Sequence, residues 1–205
     1  MSRQAEARRN DALVFDAARA VLAELGPDAS MAAIARRAGV GVASLYRRYA
    51  SKDELVQQLC IHAMEQLVEL AQQAVEQPGD AWAAFTGFMR DCAEAGSGEL
   101  LQLAGVFPAT DEQLATSDRL AEVLEALLDR AIASGAMRAG ITPGDLYLIF
   151  AQLRVRGVGS AERSALLQRR YLELMLDGLR ATGHQQPPGP APSWLEVKRC
   201  WRPEL

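Results

Sequence analysis

Between residues 10 and 25, apolar side chains recur at intervals of three and four: Leu13, Val14, Ala17, Val21, Leu22 and Leu25. That spacing predicts an amphipathic helix. Gly26-Pro27 ends it, since glycine suits the C-terminal cap and proline cannot continue the helical hydrogen bonds. Ser30 caps a second helix, 31–38, which stops at Gly39, and a third short helix spans 42–49. Ser51 followed by Glu54 is a capping box that opens a long helix, 52–75. The break at Pro78-Gly79-Asp80 marks a domain boundary, and Asp80 caps a helix over 81–95. A short helix at 99–106 ends near Pro108. Residues 111–134 place Leu114, Leu120, Val123, Leu124, Leu127 and Leu128 mostly on one stripe. Thr142-Pro143 starts a helix over 143–157, proline fitting the first position, and a final long helix covers 161–181.

No segment alternates apolar and polar residues as a half-buried strand does. The predicted fold class is therefore all-α. A three-helix head, residues 1–58, is joined by the long fourth helix (to about 75) to a helical body, 59–182. Residues 183–193 hold four prolines and few apolar side chains, so 183–205 is expected to be a flexible tail. Trp194, Leu195, Val197 and Trp201 within it leave docking onto the body open.

Composition narrows the function classes. Hydrophobic residues make up 49% and charged residues 23%, enough for a real core, but aromatics are only 6%, so Leu, Ala, Val and Met must fill it. No run of about 18 apolar residues exists to span a membrane. Charges throughout the first 20 residues exclude a secretory leader, and a cytoplasmic protein is expected. Cys60, Cys92 and Cys200 have neither disulfide nor metal spacing, and His62 and His184 form no ligand cluster, so no metal or cofactor is expected. There is no Ser/His/Asp set and no phosphate-binding glycine loop. Acid pairs such as Asp53-Glu54 and Asp111-Glu112 suit helix N-termini for dipole reasons alone. An enzyme is not expected, and no catalytic residue is assigned.

Net charge is −4, yet it is unevenly spread: residues 1–60 carry nine Lys/Arg against seven Asp/Glu, the remainder thirteen against nineteen. The basic end is the three-helix head. Three short helices and a long one are the layout of a helix-turn-helix unit. Ala35 is small where two helices cross, Gly39 turns the chain, Val40 plugs the turn, and Leu45 and Tyr49 anchor the second helix of the pair. Val42, Ala43, Tyr46 and Arg47 are left facing outward, flanked by Gly41, Ser44 and Arg48. In such units that helix enters the DNA major groove. Arginine can read guanine O6 and N7, Val42 and Ala43 can touch thymine methyls, and Tyr46 and Lys52 suit phosphate. Arg36 and Arg37 add to the same basic face.

Gly39-Val40, Ser44-Leu45-Tyr46, Tyr49 and Ser51-Lys52-Asp53-Glu54-Leu55 resemble the TetR family signature, in which a glycine-valine turn precedes "TLYxHFxxKexL". The likeness extends over residues 8–58, with Ala17-Ala18 and Leu25-Gly26 in register. Arg48 stands where histidine is common, and Tyr49 where phenylalanine is. More loosely, Gly135-Ala136-Met137-Arg138, Asp145-Leu146 and Leu176-Asp177-Gly178-Leu179-Arg180 resemble the family's C-terminal domain. The resemblance implies a regulator, most often a repressor released from a palindromic operator by a small molecule; an activator, or a ligand-sensing dimer without operator binding, is the alternative. Its implied partners are double-stranded operator DNA, a second copy of the chain and a small-molecule effector. A homodimer formed by the last two helices puts Leu153, Tyr171, Leu174 and Met175 at the interface. Trp82, Phe85, Phe88, Met89, Leu103, Phe107, Leu124 and Tyr147 are candidates to line an effector pocket, or else core. Arg90, Arg154 and Arg156 lie on apolar segments, either against an anionic ligand or simply solvated.

Overall fold

The computed structural model describes residues 3–103, 105–153, 159–181 and 187–204. Helices α1 (Arg3–Leu25), α2 (Met31–Ala38) and α3 (Val42–Arg48) form the head. α4 (Lys52–Glu76) leads into a body of α5 (Ala81–Glu94), α6 (Ser97–Leu100), α7 (Asp111–Ala133), α8 (Pro143–Gln152) and α9 (Ala161–Gly178), followed by α10 (Trp194–Arg199). Among the described residues the only β geometry is an isolated antiparallel bridge between Met137 and Arg180.

Side-chain caps fix where helices begin. Ser30, Ser51, Asp80 and Ser160 each accept a backbone N–H from the first turn of the helix that follows. Thr110, Thr142 and Ser193 close full capping boxes with Gln113, Asp145 and Glu196. Each such cap stabilises its helix by about 1 kcal/mol. At Ser51 the reciprocal bond is shifted: Glu54 Oε2 accepts from Ala50 N at 2.7 Å. The third helix stops at Arg48, one residue short of the sequence expectation, because Tyr49 turns to extended backbone and carries its ring inward. The helix expected at 99–106 is shorter and tightens from α6 into a 3-10 turn, Leu101–Leu103. The helix expected over 143–157 is described as far as Gln152, with Leu153 at its cap; residues 154–157 lie outside the described residues.

Two apolar cores result. The head core gathers Val14, Ala18, Val21, Leu22, Ile34, Ala35, Leu45 and Tyr49 with Leu55 and Leu59 of α4, and Leu103 from the body joins it. Leu13 and Leu25, expected on the buried stripe of α1, are exposed; Leu13 stands about 100° round the helix from its buried neighbour Val14. The body core centres on Phe85, Met89, Leu127, Leu128, Leu146 and Leu153. The two C-terminal segments singled out from the sequence meet there: Arg138 N donates to Leu179 O at 3.0 Å and Ala181 N to Ala136 O at 3.0 Å.

The segment expected as a flexible tail packs on the body over residues 187–204. Thr142 Oγ1 donates to Pro192 O at 2.9 Å, and Gly144 leaves no room there for a side chain, since a Cβ would stand 2.5 Å from the same oxygen. Val197 is buried; Lys198 pairs with Asp118 at 2.8 Å and Arg202 with Asp111 at 2.5 Å. Trp201 Nε1 donates to Tyr147 Oη at 3.3 Å. Proline-rich composition was a poor guide because proline also lowers the entropy lost when a segment docks.

Candidate DNA-reading face and internal hollows

The turn between α2 and α3 is built as its sequence requires. Gly39 takes φ +70°, a region L side chains disfavour, and Val40 N closes the helix end on Ala35 O at 3.0 Å. Ala35 has no exposed surface, which allows close helix crossing. Leu45 and Tyr49 are buried beneath α3, and Tyr49 Oη donates to Asp11 Oδ1 at 2.8 Å. Burial, then the bond to Asp11, pushes the Tyr49 phenol well above its ordinary pKa, so it stays a neutral donor. With those residues locked inward, Gly41, Val42, Ala43, Ser44, Tyr46 and Arg47 are brought together on one exposed surface.

The other cations are partly engaged. Arg48 is exposed but forms an ion pair with Asp11 of α1, and Arg37 pairs with Glu24 at 3.2 Å. Lys52, expected at phosphate, donates to Pro27 O at 2.7 Å and lies 5.7 Å from the Phe107 ring centre, tying head to body. The sequence does not show these pairings because Asp11, Glu24 and Phe107 stand 37, 13 and 55 residues from their partners.

Two apolar hollows lie behind the head. The first, about 110 Å³, is lined by residues of α1, α4 and α6 together with Leu101, Leu103, Gly105, Phe107 and Ala109. The second, about 90 Å³, lies among α4, α5, α7, α8 and α10. Of the residues expected at a pocket, Leu103 and Phe107 line the first, and Phe88, Leu124 and Tyr147 the second. Trp82, Phe85 and Met89 do not: they are body core, with Trp82 covered by the Arg180 guanidinium at 4.8 Å. Residues missed from the sequence include Met64, Leu67 and Trp201, which border both hollows, and Arg19. Met64 and Leu67 carried only the helical period of α4, and Trp201 lay in the presumed tail. Burial pushes the Cys60 thiol, at the first hollow, up to about 11. Arg90 lines neither of these two hollows; it forms a two-toothed pair with Glu173 at 2.7 and 3.0 Å. Arg154 and Arg156 lie outside the described residues.

Residues 14–59 match the model of bacterial regulatory proteins of the tetR family, and residues 77–181 match the SbtR-like transcriptional regulator C-terminal domain. The chain belongs to the TetR family. It is a transcriptional regulator with an N-terminal helix-turn-helix and a helical C-terminal domain. Solved structures agree. A TetR transcription regulatory protein from Mycobacterium vanbaalenii is 28% identical, with 86% of this chain and 98% of that one covered and a TM-score of 0.58. The regulator SCO0520 from Streptomyces coelicolor is 25% identical, with 84% and 99% covered and a TM-score of 0.60. A gamma-butyrolactone receptor, an ArpA-like protein, shares the fold at 18% identity, 86% and 91% coverage and a TM-score of 0.60. No helix among the described residues is long and apolar enough to cross a membrane.

For this TetR-family chain the expected interface residues divide. Tyr171 and Leu174 on α9 are exposed and Met175 is half-buried, but Leu153 is only 1% exposed. Leu153 closes α8 into the body core, so it has no surface to offer a partner. Leu166, about two and a half turns of α9 before Met175, and Leu148 on α8 are exposed apolar residues that the sequence reading did not select.

Proposed function

We propose that this regulator binds a roughly palindromic operator as a homodimer, reads it through Tyr46, Arg47, Val42 and Ala43 of α3, and releases it when a small-molecule effector fills the hollows. The observation that carries this is the exposed face of α3 set on a fully buried base. Leu45 and Tyr49 hold the helix while four consecutive N-terminal positions, residues 41–44, stay open to a groove. Exposed Leu148, Leu166, Tyr171 and Leu174 supply an apolar surface for a second copy, which would repeat α3 about a two-fold axis. Apolar concave volume next to the head supports effector control, and the gamma-butyrolactone receptor of this fold is by its name a small-molecule sensor.

The test is selection of bound sequences from randomised duplex DNA, by the native protein and by Tyr46→Ala and Arg47→Ala. The expected result is an inverted repeat with a fixed half-site spacing, which both variants fail to select. Failure of the native protein to enrich any sequence at low salt overturns the operator reading. Enrichment of a single, unrepeated half-site overturns the dimer.

A further inference from the structure

The two hollows are neighbours: Met64, Leu67, Ser97, Leu101 and Trp201 border both. What separates them is mostly flexible thioether and aliphatic side chains. Each is smaller than the roughly 150 Å³ apolar cavity that accommodates benzene, but joined they exceed it. An unbranched apolar chain therefore fits across both once Met64 and Leu101 change rotamer.

One charge faces this space. Arg19, from α1 of the head, lines the first hollow, and none of the described lining residues is acidic. Its Nη1 donates to Ala95 O at 2.5 Å, at the end of α5. Its Nε is buried and has no hydrogen-bond partner. A buried guanidinium donor without an acceptor is costly, and the Nε edge is the one that receives a carboxylate side-on.

We propose that the joined hollows bind a monocarboxylate with an unbranched apolar chain, its carboxylate received on the Nε edge of Arg19 and its chain running past Met64 and Leu101. The anion is then held by a residue of the DNA-binding head itself, beside the contact that links α1 to α5. The regulatory meaning of this site rests on the effector reading above; its ligand chemistry does not.

Octanoate and 1-octanol, equal in chain and different in charge, are the probes. Each is titrated calorimetrically into the full-length native protein, Arg19→Met, Arg19→Lys and Leu67→Trp. The native protein should bind octanoate about tenfold tighter than 1-octanol. Arg19→Met should abolish that preference while holding 1-octanol within about twofold of native, which also reports an intact hollow. Arg19→Lys should keep part of the preference, and Leu67→Trp, which fills the wall between the hollows, should weaken both probes. Equal affinity of the two probes for the native protein overturns the proposal, as does a preference that survives Arg19→Met, or no binding of either probe. Should Arg19→Met not fold, undiminished binding of both probes by Leu67→Trp overturns it, and loss of both with the native octanoate preference supports it. Operator affinity is read separately: Arg19-dependent octanoate binding that leaves it unchanged upholds the site and removes effector release.

Discussion

Arg130, near the end of α7, holds the far end of α4 in place. Its Nη1 donates to Ala74 O at 2.7 Å and Val75 O at 3.0 Å; its Nη2 donates to Gln77 O at 2.5 Å and Gly79 O at 3.3 Å. Ala74 and Val75 belong to the last turn of α4, whose carbonyls have no partner within the helix. The substitution Arg130→Met keeps the apolar stem and removes all four bonds. The two exposed carbonyls regain water at little cost. The two part-buried ones lose charge-assisted bonds only partly replaced by water, and α4 loses a cation at its negative end. Together these come to about 2–3 kcal/mol. For a chain of 205 residues that is a fall in Tm of about 5–10 °C. The assay is a thermal melt by circular dichroism at one fixed protein concentration, because any self-association would add to apparent stability. Arg130→Lys restores the charge but not the fork, and should fall between the two. A Tm within about 2 °C of native for Arg130→Met would refute the reasoning. So would a lysine variant no better than the methionine one.

Gly144→Ala should push Pro192 away and release the C-terminal segment, because the new Cβ meets a backbone oxygen at 2.5 Å; limited trypsin digestion should then cut at Lys198 and Arg199, which resist in the native protein. Leu174→Glu, at an exposed site, should leave the fold intact but yield a monomer by analytical ultracentrifugation that loses operator affinity. Operator affinity should fall with salt at a log–log slope of about −3.6, from Arg36 and Arg47 on each of two heads, not the roughly −9 of five free cations per head, because Arg37, Arg48 and Lys52 already have partners. At pH 8 a thiol reagent should label exposed Cys200 first, while Cys60, half-buried and with its thiol raised to about 11, should react more slowly, at a rate rising toward pH 11 as the thiolate forms.

The head was legible because its constraints are local. A capping serine three residues before the amide it accepts, a glycine at positive φ and a Leu45/Tyr49 pair four apart all lie within one window of sequence. The body followed less well. Helix α7 was visible from its apolar stripe, but its period cannot say which apolar residues reach a hollow. Phe85 and Phe88 stand three apart on one helix, and only the second lines a hollow. Arg19 carried no signal of its own in the sequence. Its role depends on Ala95, 76 residues away. Docking of Trp201 was left open, because the proline-rich segment before it pointed to a mobile tail while a tryptophan exposed on a free tail would itself be unfavourable. Leu153 was placed at an interface by resemblance alone, whereas its burial is decided by how α8 meets the body.

Effector release requires a physical route from the hollows to α3, and the contacts between head and body fall on one short stretch. Arg19 of α1 donates to Ala95 O, Gln57 of α4 donates to Pro108 O at 2.8 Å, and Lys52 lies over Phe107. Leu103 packs within the head core itself. The same stretch supplies Ala95, Leu101, Leu103, Phe107 and Ala109 to the wall of the first hollow. A molecule large enough to join the hollows must move some of these side chains, and close-packed neighbours cannot absorb such movement without shifting. The head contacts are then altered at three points on α1 and α4, on either side of the helix-turn-helix. In a dimer, where two copies of α3 must fit a fixed groove spacing, a small rotation of each head is enough to favour release. On the proposed reading, the described residues between Ala95 and Ala109, rather than α4 alone, form the element through which an effector would reach the operator-reading helix.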